Sequence, residues 1–327
     1  MFDLKEIKSP EFLKSLSIND LTNLSDDIRK FILEKVSQNG GHLSSNLGVV
    51  ELTVALHYVF NSPYDKMIFD VGHQIYTHKV LTGRTEKFDN LRKLNGLSGF
   101  PKYSESEHDV FEAGHSSTSI SALCGFLEAK RLGAAMGEVI AIIGDGSFQN
   151  GLALSGLNFL SSLPKNQKAI IIINDNDMSI SKNVGGLANS FNRMRVNRSY
   201  NAFKNRVPEG IKFVLHPFKK SIWRMVYKNN SMFNELGFKY IGPIDGHNIK
   251  ELVKYLEFAK KHPKTVVLHV KTIKGKGYKP AEDDKIGLYH GLGAFDLETG
   301  KLLKQNPENV ESFSAVVAKS LNNILEK

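Results

Sequence analysis

Four strand-length apolar runs recur along the chain with helical patterns between them, and this alternation limits the fold more than any other feature. They are Met67–Val71 (MIFDV), Val139–Ile143 (VIAII), Ala169–Ile173 (AIIII) and Thr265–Val270 (TVVLHV). Runs so rich in Ile and Val lack the polar alternation of a half-solvated strand, as strands covered on both faces of a parallel sheet do. Between them the apolar spacing predicts helices over about 18–38, 48–60, 117–132, 150–162 and 248–261. The expected class is therefore α/β, a mostly parallel, doubly wound sheet flanked by helices. Residues 180–235 break the alternation and read as an insertion within a module spanning 1–306. After Pro307, the stretch ENVESFSAVVAKSLNNILEK reads as one amphipathic helix over 307–327, with nothing behind it to pack against.

Composition removes several function classes. The 327 residues are 41% hydrophobic and 24% charged, a globular balance. No run of about 18 apolar residues occurs, so no membrane span is expected. The N-terminal MFDLKEIKSPEF has no apolar core of a secretory signal. Cys124 is the only cysteine, which excludes an internal disulfide framework or a cysteine zinc cluster; a reducing cytoplasm is the expected home. The formal charge of +9 is concentrated: residues 191–230 hold ten Lys/Arg against one acid, Glu209. Two readings stay open for that segment, a solvated amphipathic surface and a docking surface for an acidic protein or phosphate groups. No aromatic-interleaved platform or reading-helix motif accompanies the charge, so nucleic acid is not expected as a partner.

Residues 142–151, IIGDGSFQNG, place Asp145 between two glycines just after a buried strand. Residues 139–176 read as strand, GDG turn, helix, short turn at Pro164, strand, then Asn174-Asp175-Asn176. A right-handed crossover makes both strands parallel, so Asp145 and Asn176 emerge at one carboxyl edge, where open α/β sheets bind ligands. One carboxylate and one amide oxygen make a poor all-protein cage. They make a good partial shell for Mg²⁺, which keeps water and takes its remaining oxygens from a diphosphate. Gly144 and Gly146 allow a diphosphate close to the backbone, and the following helix N-terminus offers N–H groups. Either motif alone is ordinary turn chemistry. The pair, each following an apolar strand with one helix between, points to a metal–diphosphate site.

GDGS and NDN together resemble the thiamine-diphosphate motif of transketolase-like enzymes. The resemblance continues in colinear order through SQNGGHLSSNLGVVELTVALHYVFNSPYDKMIFDVGHQIYTHKVLTGR, EAGHSSTSISALCG, NDNDMSIS, LGFKYIGPIDGHN and KGKGYKPAE. Over about residues 25–300 the chain resembles the N-terminal module of the 1-deoxy-D-xylulose-5-phosphate synthase family. The resemblance implies Mg²⁺ held by Asp145, Asn176 and the Met178 carbonyl. It implies cofactor contacts from His73, Gly114, His115, Ser116, Gly146, Ser147, Asn176 and Tyr278. It implies decarboxylative condensation of pyruvate with glyceraldehyde 3-phosphate, feeding isoprenoid-precursor and thiamine synthesis. Ser155 stands where the family usually has an acidic residue, and Gln149 and Asn150 replace smaller ones.

Of eleven histidines, four lie in glycine-rich settings: His42, His73, His115 and His290. Singly, each reads as a satisfied polar residue. His73 follows a strand and His115 opens a helix, so both are expected at the edge that carries Asp145, a placement suited to proton relay. The resemblance makes His42, His73 and His290 catalytic. His78 is a weaker candidate; His57, His108, His216, His247, His262 and His269 read as structural, with His247 in DGHN the doubtful one. In the superfamily a glutamate from a second, pyrimidine-binding module activates the cofactor. No candidate for it is found here, and the family's chains are about twice as long. The expectation is half an active site, inactive without a partner module supplied by a second polypeptide or a homodimer. A split transketolase subunit and a non-catalytic cofactor-binding paralogue are the alternatives.

Overall fold

The structure, a computed structural model, describes residues 2–164, 166–176, 232–303, 311 and 313–326. Five strands, β1 (Lys66–Phe69), β2 (Val139–Gly144), β3 (Ile170–Asp175), β4 (Lys239–Asp245) and β5 (Val266–Lys271), form one sheet in the order β1-β2-β3-β5-β4. Every pairing is parallel. The helices are α1 (Ile18–Asn39), α2 (Leu43–Leu47), α3 (Val50–Val59), α4 (Tyr76–Leu81), α5 (Ser119–Arg131), α6 (Asp145–Phe148), α7 (Gly151–Ser162), α8 (Met232–Glu235), α9 (Ile249–Lys261), α10 (Lys279–Glu282) and α11 (Phe313–Leu325). The five long helices expected from periodicity are α1, α3, α5, α7 and α9.

The strands are buried on both faces because successive side chains enter different cores. Ile140, Ile142, Ile170 and Ile172 join α1, α3, α4 and α9 in one core. Ala141, Ile143, Ile171 and Ile173 join α5 and α7 in the other. This is the doubly wound layering anticipated from the Ile/Val runs.

Strand β4 is the element the apolar pattern did not reveal. Its sequence, KYIGPID, carries Gly242 and Pro243 in mid-strand, and its register with β5 shifts between Ile241 and Ile244. It lies at the sheet edge, where a proline's missing N–H is tolerated. The C-terminal helix forms as α11, and none of its described residues is buried. The segment 191–230, Met178 and most of the 180–235 insertion lie outside the described residues. Among the described residues no helix is long and apolar enough to cross a membrane.

Candidate active site

The carboxyl ends of β1, β2, β3 and β5 open onto one cavity of about 750 Å³, within the range of small-molecule sites. Gly144 of β2 pairs with Asn174 of β3, so Asp145 and Asn176 leave adjacent strands side by side, and both line the cavity. Asp145 is 3% exposed and its Oδ1 accepts the Gly146 N–H at 3.0 Å. A side chain added at Gly144 or Gly114 would meet no protein atom within 4 Å; the space beside both is the cavity itself.

The turn after β1 is strained toward the site. Val71, β-branched, sits at φ 60, and Gly72 follows at φ 84. A Cβ on Gly72 would fall 2.3 Å from Pro101 Cδ, so only glycine fits. Left-handed backbone at a branched residue costs on the order of 1–3 kcal/mol and persists where the surroundings enforce it. Here Asn46, fully buried, enforces it: its Nδ2 donates to His42 O and His73 O at 2.6 and 2.8 Å, and its Oδ1 accepts from Tyr76 N. Two histidine-bearing turns are thereby tied to one amide.

Asp70, 1% exposed at the end of β1, organises the next loop. It accepts the N–H groups of Ser117 and Ser119 at 2.8 and 3.1 Å, and Ser117 Oγ donates to Ser147 O at 2.7 Å. Ser117 adopts φ 75, so α5 begins at Ser119 rather than at His115 as expected. His115 and Ser116 stay in the loop and line the cavity with Gly114, Gly146 and Ser147.

His42, His73 and His290 converge, with ring centroids 5.3–5.8 Å apart. His290 is delivered by a strap that bridges Leu292 to Gly41 and whose Tyr289 carbonyl accepts from Ser44. The Nδ1 atoms of all three rings are buried and meet no protein partner. Burial, helped by Arg92 and His290, lowers the His42 pKa to about 4. Burial, helped by the other two rings and Lys274, lowers His73 to about 3. His290 is lowered by burial and Lys274. All three are neutral imidazoles at pH 7, each with a lone pair and an N–H to offer.

Two expectations need correction. Tyr278 does not line the cavity: its hydroxyl donates to Leu297 O at 3.1 Å and its ring packs against Tyr289 and Phe295. Lys274, four residues earlier in the same motif, lines it instead. Burial lowers the Lys274 pKa against the opposing pull of Asp284 and Asp145. His78 lies behind the site, 1% exposed, with one ring nitrogen 2.9 Å from His57 Nε2 and the other 3.0 Å from Asp109 Oδ1. Lys274, Asn46 and Asp70 were missed by sequence reasoning; the available signal was a charged or amide residue inside each quoted glycine-rich or apolar motif. Asn150, noted as a departure, caps α7 and lines the cavity, and Ser155 is exposed on α7.

The donor set suits a hard, oxygen-seeking ion with an anionic ligand. It comprises a carboxylate, amide oxygens, a lysine and loop N–H groups, and among the described residues no group of three His, Cys, Asp or Glu gathers to hold another metal. The family model for 1-deoxy-D-xylulose-5-phosphate synthase matches residues 4–272. The chain belongs to that synthase family. It is 52% identical over 327 residues to the 1-deoxy-D-xylulose-5-phosphate synthase of Macrococcus caseolyticus, covering 96% of this chain and 52% of the relative. It is 48% identical over 331 residues to that of Geobacillus sp., covering 98% and 52%. The chain thus spans about half the length of the synthases it matches. Transketolases share the fold: that of Campylobacter jejuni superposes with a TM-score of 0.62 at 20% identity, covering 95% of this chain and 48% of that one. That of Leishmania mexicana gives 0.61 at 16% identity, covering 93% and 44%.

Proposed function

We propose that the chain is the diphosphate-binding, N-terminal half of a 1-deoxy-D-xylulose-5-phosphate synthase, and that it takes thiamine diphosphate through Mg²⁺ for the condensation of pyruvate with glyceraldehyde 3-phosphate. The observation that carries this is the meeting of Asp145 and Asn176, from adjacent strands, in a cavity also walled by three neutral histidines. When bound, thiamine diphosphate supplies the carbanion chemistry, and the protein supplies orientation and proton handling. Asp145 and Asn176 would hold Mg²⁺, with the Met178 carbonyl as an expected third ligand outside the described residues. Gly114, His115, Ser116, Gly146 and Ser147 would receive the diphosphate beside Lys274. His42, His73 and His290, uncharged at neutral pH, suit transfer of protons to and from substrate oxygens.

No glutamate lines the cavity among the described residues. The group that activates the cofactor's aminopyrimidine is therefore assigned to a partner module, on a second polypeptide or contributed across a homodimer in the cytoplasm. The test is calorimetric titration of thiamine diphosphate with and without Mg²⁺. Mg²⁺-dependent binding is expected, and Asp145→Ala should abolish it because the ion loses its carboxylate ligand. Equal binding by the variant would sink the metal assignment.

A further inference from the structure

His247 and Glu51 lie outside the cavity, yet they connect to its wall. Lys274 sits between two backbone anchors. The Ile273 N–H donates to His247 Nε2 at 2.8 Å, and the Gly275 N–H donates to Ser44 O at 2.9 Å. A backbone amide can only donate, so His247 Nε2 must carry the lone pair and Nδ1 the proton. That proton faces Glu51 Oε2 at 3.1 Å. Glu51 is 7% exposed, and its other oxygen accepts from Arg29 Nη2 at 2.5 Å. Burial alone would raise the Glu51 pKa, but the hydrogen bond from His247 and the Arg29 charge outweigh it and the carboxylate stays ionised. Arg29 also supports the strap directly: a Cβ on Gly277 would lie 2.4 Å from Arg29 Cδ.

We propose that Glu51 and His247 are positioning residues for Lys274. Glu51, anchored by Arg29, holds His247 in the Nδ1–H tautomer. His247 Nε2 then fixes the amide immediately before Lys274, which sets where the ammonium meets the anionic ligand. A carboxylate behind an imidazole selects the tautomer in the same way at metal-bound histidines. The Lys274 ligand is the diphosphate of the proposed function, and the inference rests on that reading. A simple staple for the fold would use the same bonds. The two roles differ in coupling: a positioning effect on ligand binding vanishes when Lys274 is absent, and a general loss of order does not.

The experiment uses the full chain and Mg²⁺, titrated with thiamine diphosphate. His247→Phe is expected to weaken binding roughly tenfold, the scale of one misplaced charged hydrogen bond. His247→Gln, whose amide oxygen can take the place of Nε2, should recover most of it. In a Lys274→Met background, His247→Phe should add little, since residues acting as a unit are non-additive. The same loss with and without Lys274 would overturn the proposal. Two readouts need no cofactor. Imidazole nitrogen shifts of the unmodified chain should report the Nδ1–H tautomer of His247, and the opposite tautomer would overturn the proposal without any variant. Amide exchange over 272–277 should quicken in His247→Phe and not in His247→Gln; unchanged exchange would also overturn it. Failure of the unmodified chain to bind thiamine diphosphate would count against the proposed function, and the tautomer and exchange results would still decide the network.

Discussion

The histidines of the cavity and the histidines beneath it are the same residue put to opposite use. Beneath the cavity, His78 rests on Asp109, His269 on Asp175 at 2.6 Å, and His247 on Glu51. Each of these rings has both nitrogens engaged, His269 through the Tyr240 hydroxyl at 2.7 Å. At the cavity, His42, His73 and His290 have no carboxylate behind them, and their Nδ1 atoms find no protein partner. A buried imidazole nitrogen without a hydrogen bond costs stability. Rings with carboxylate partners hold the fold, and rings without them carry a cost that a ligand can offset.

Breaking the partnered group should have the largest effect. Asp109 accepts two hydrogen bonds from buried Arg84, at 2.7 and 2.8 Å, besides that from His78. Burial pushes its carboxyl up, but these bonds outweigh it and hold it well below the usual carboxylate range. Asp109→Ala strands a buried guanidinium and should cost about 3–5 kcal/mol in urea unfolding. A loss below about 1 kcal/mol would mean that the network is not a structural one.

Acid should have the next largest effect. Burial and neighbouring charges hold His57 well below 6.5, and burial holds His78 at about 4 despite Asp109. The unfolded chain therefore takes up protons first as pH falls below 6.5, while the folded chain keeps these rings neutral. Stability should be intact above pH 6.5 and fall toward pH 4, by roughly 1.4 kcal/mol per pH unit for each such ring. Urea midpoints at pH 7, 6 and 5 measure this; midpoints that do not move would contradict the neutral assignment.

The smallest stability effect is expected at the cavity. His290→Ala removes a ring whose Nδ1 has no partner, so unfolding should shift by no more than roughly 1 kcal/mol. The comparison sharpens if the same variant slows turnover once a partner module is supplied. A stability loss as large as that of Asp109→Ala would erase the distinction between the two groups.

Much of this was legible in the residues. Continuous Ile/Val runs can be buried only in a sheet covered on both faces, so they announced the parallel layer and four of its five strands. Gly-Asp-Gly and Asn-Asp-Asn after two of those runs announced the edge at which Asp145 and Asn176 would meet. Strand β4 was not legible, because Gly242 and Pro243 interrupt its pattern and only an edge position makes them acceptable.

The side-chain assignments within the motifs were settled by packing. Sequence could not say that Tyr278 turns into an aromatic cluster while Lys274 turns to the cavity, because both lie in one short glycine-rich strap. Nor could it say that Asn46 ties the His42 and His73 turns together, or that Asp70 holds the Ser117–Ser119 loop. Apolar periodicity is a local property, written along the chain by burial on one side or two. Which polar atom meets which depends on contacts between residues tens to hundreds of positions apart, and those exist only once the sheet has brought the loops to one edge.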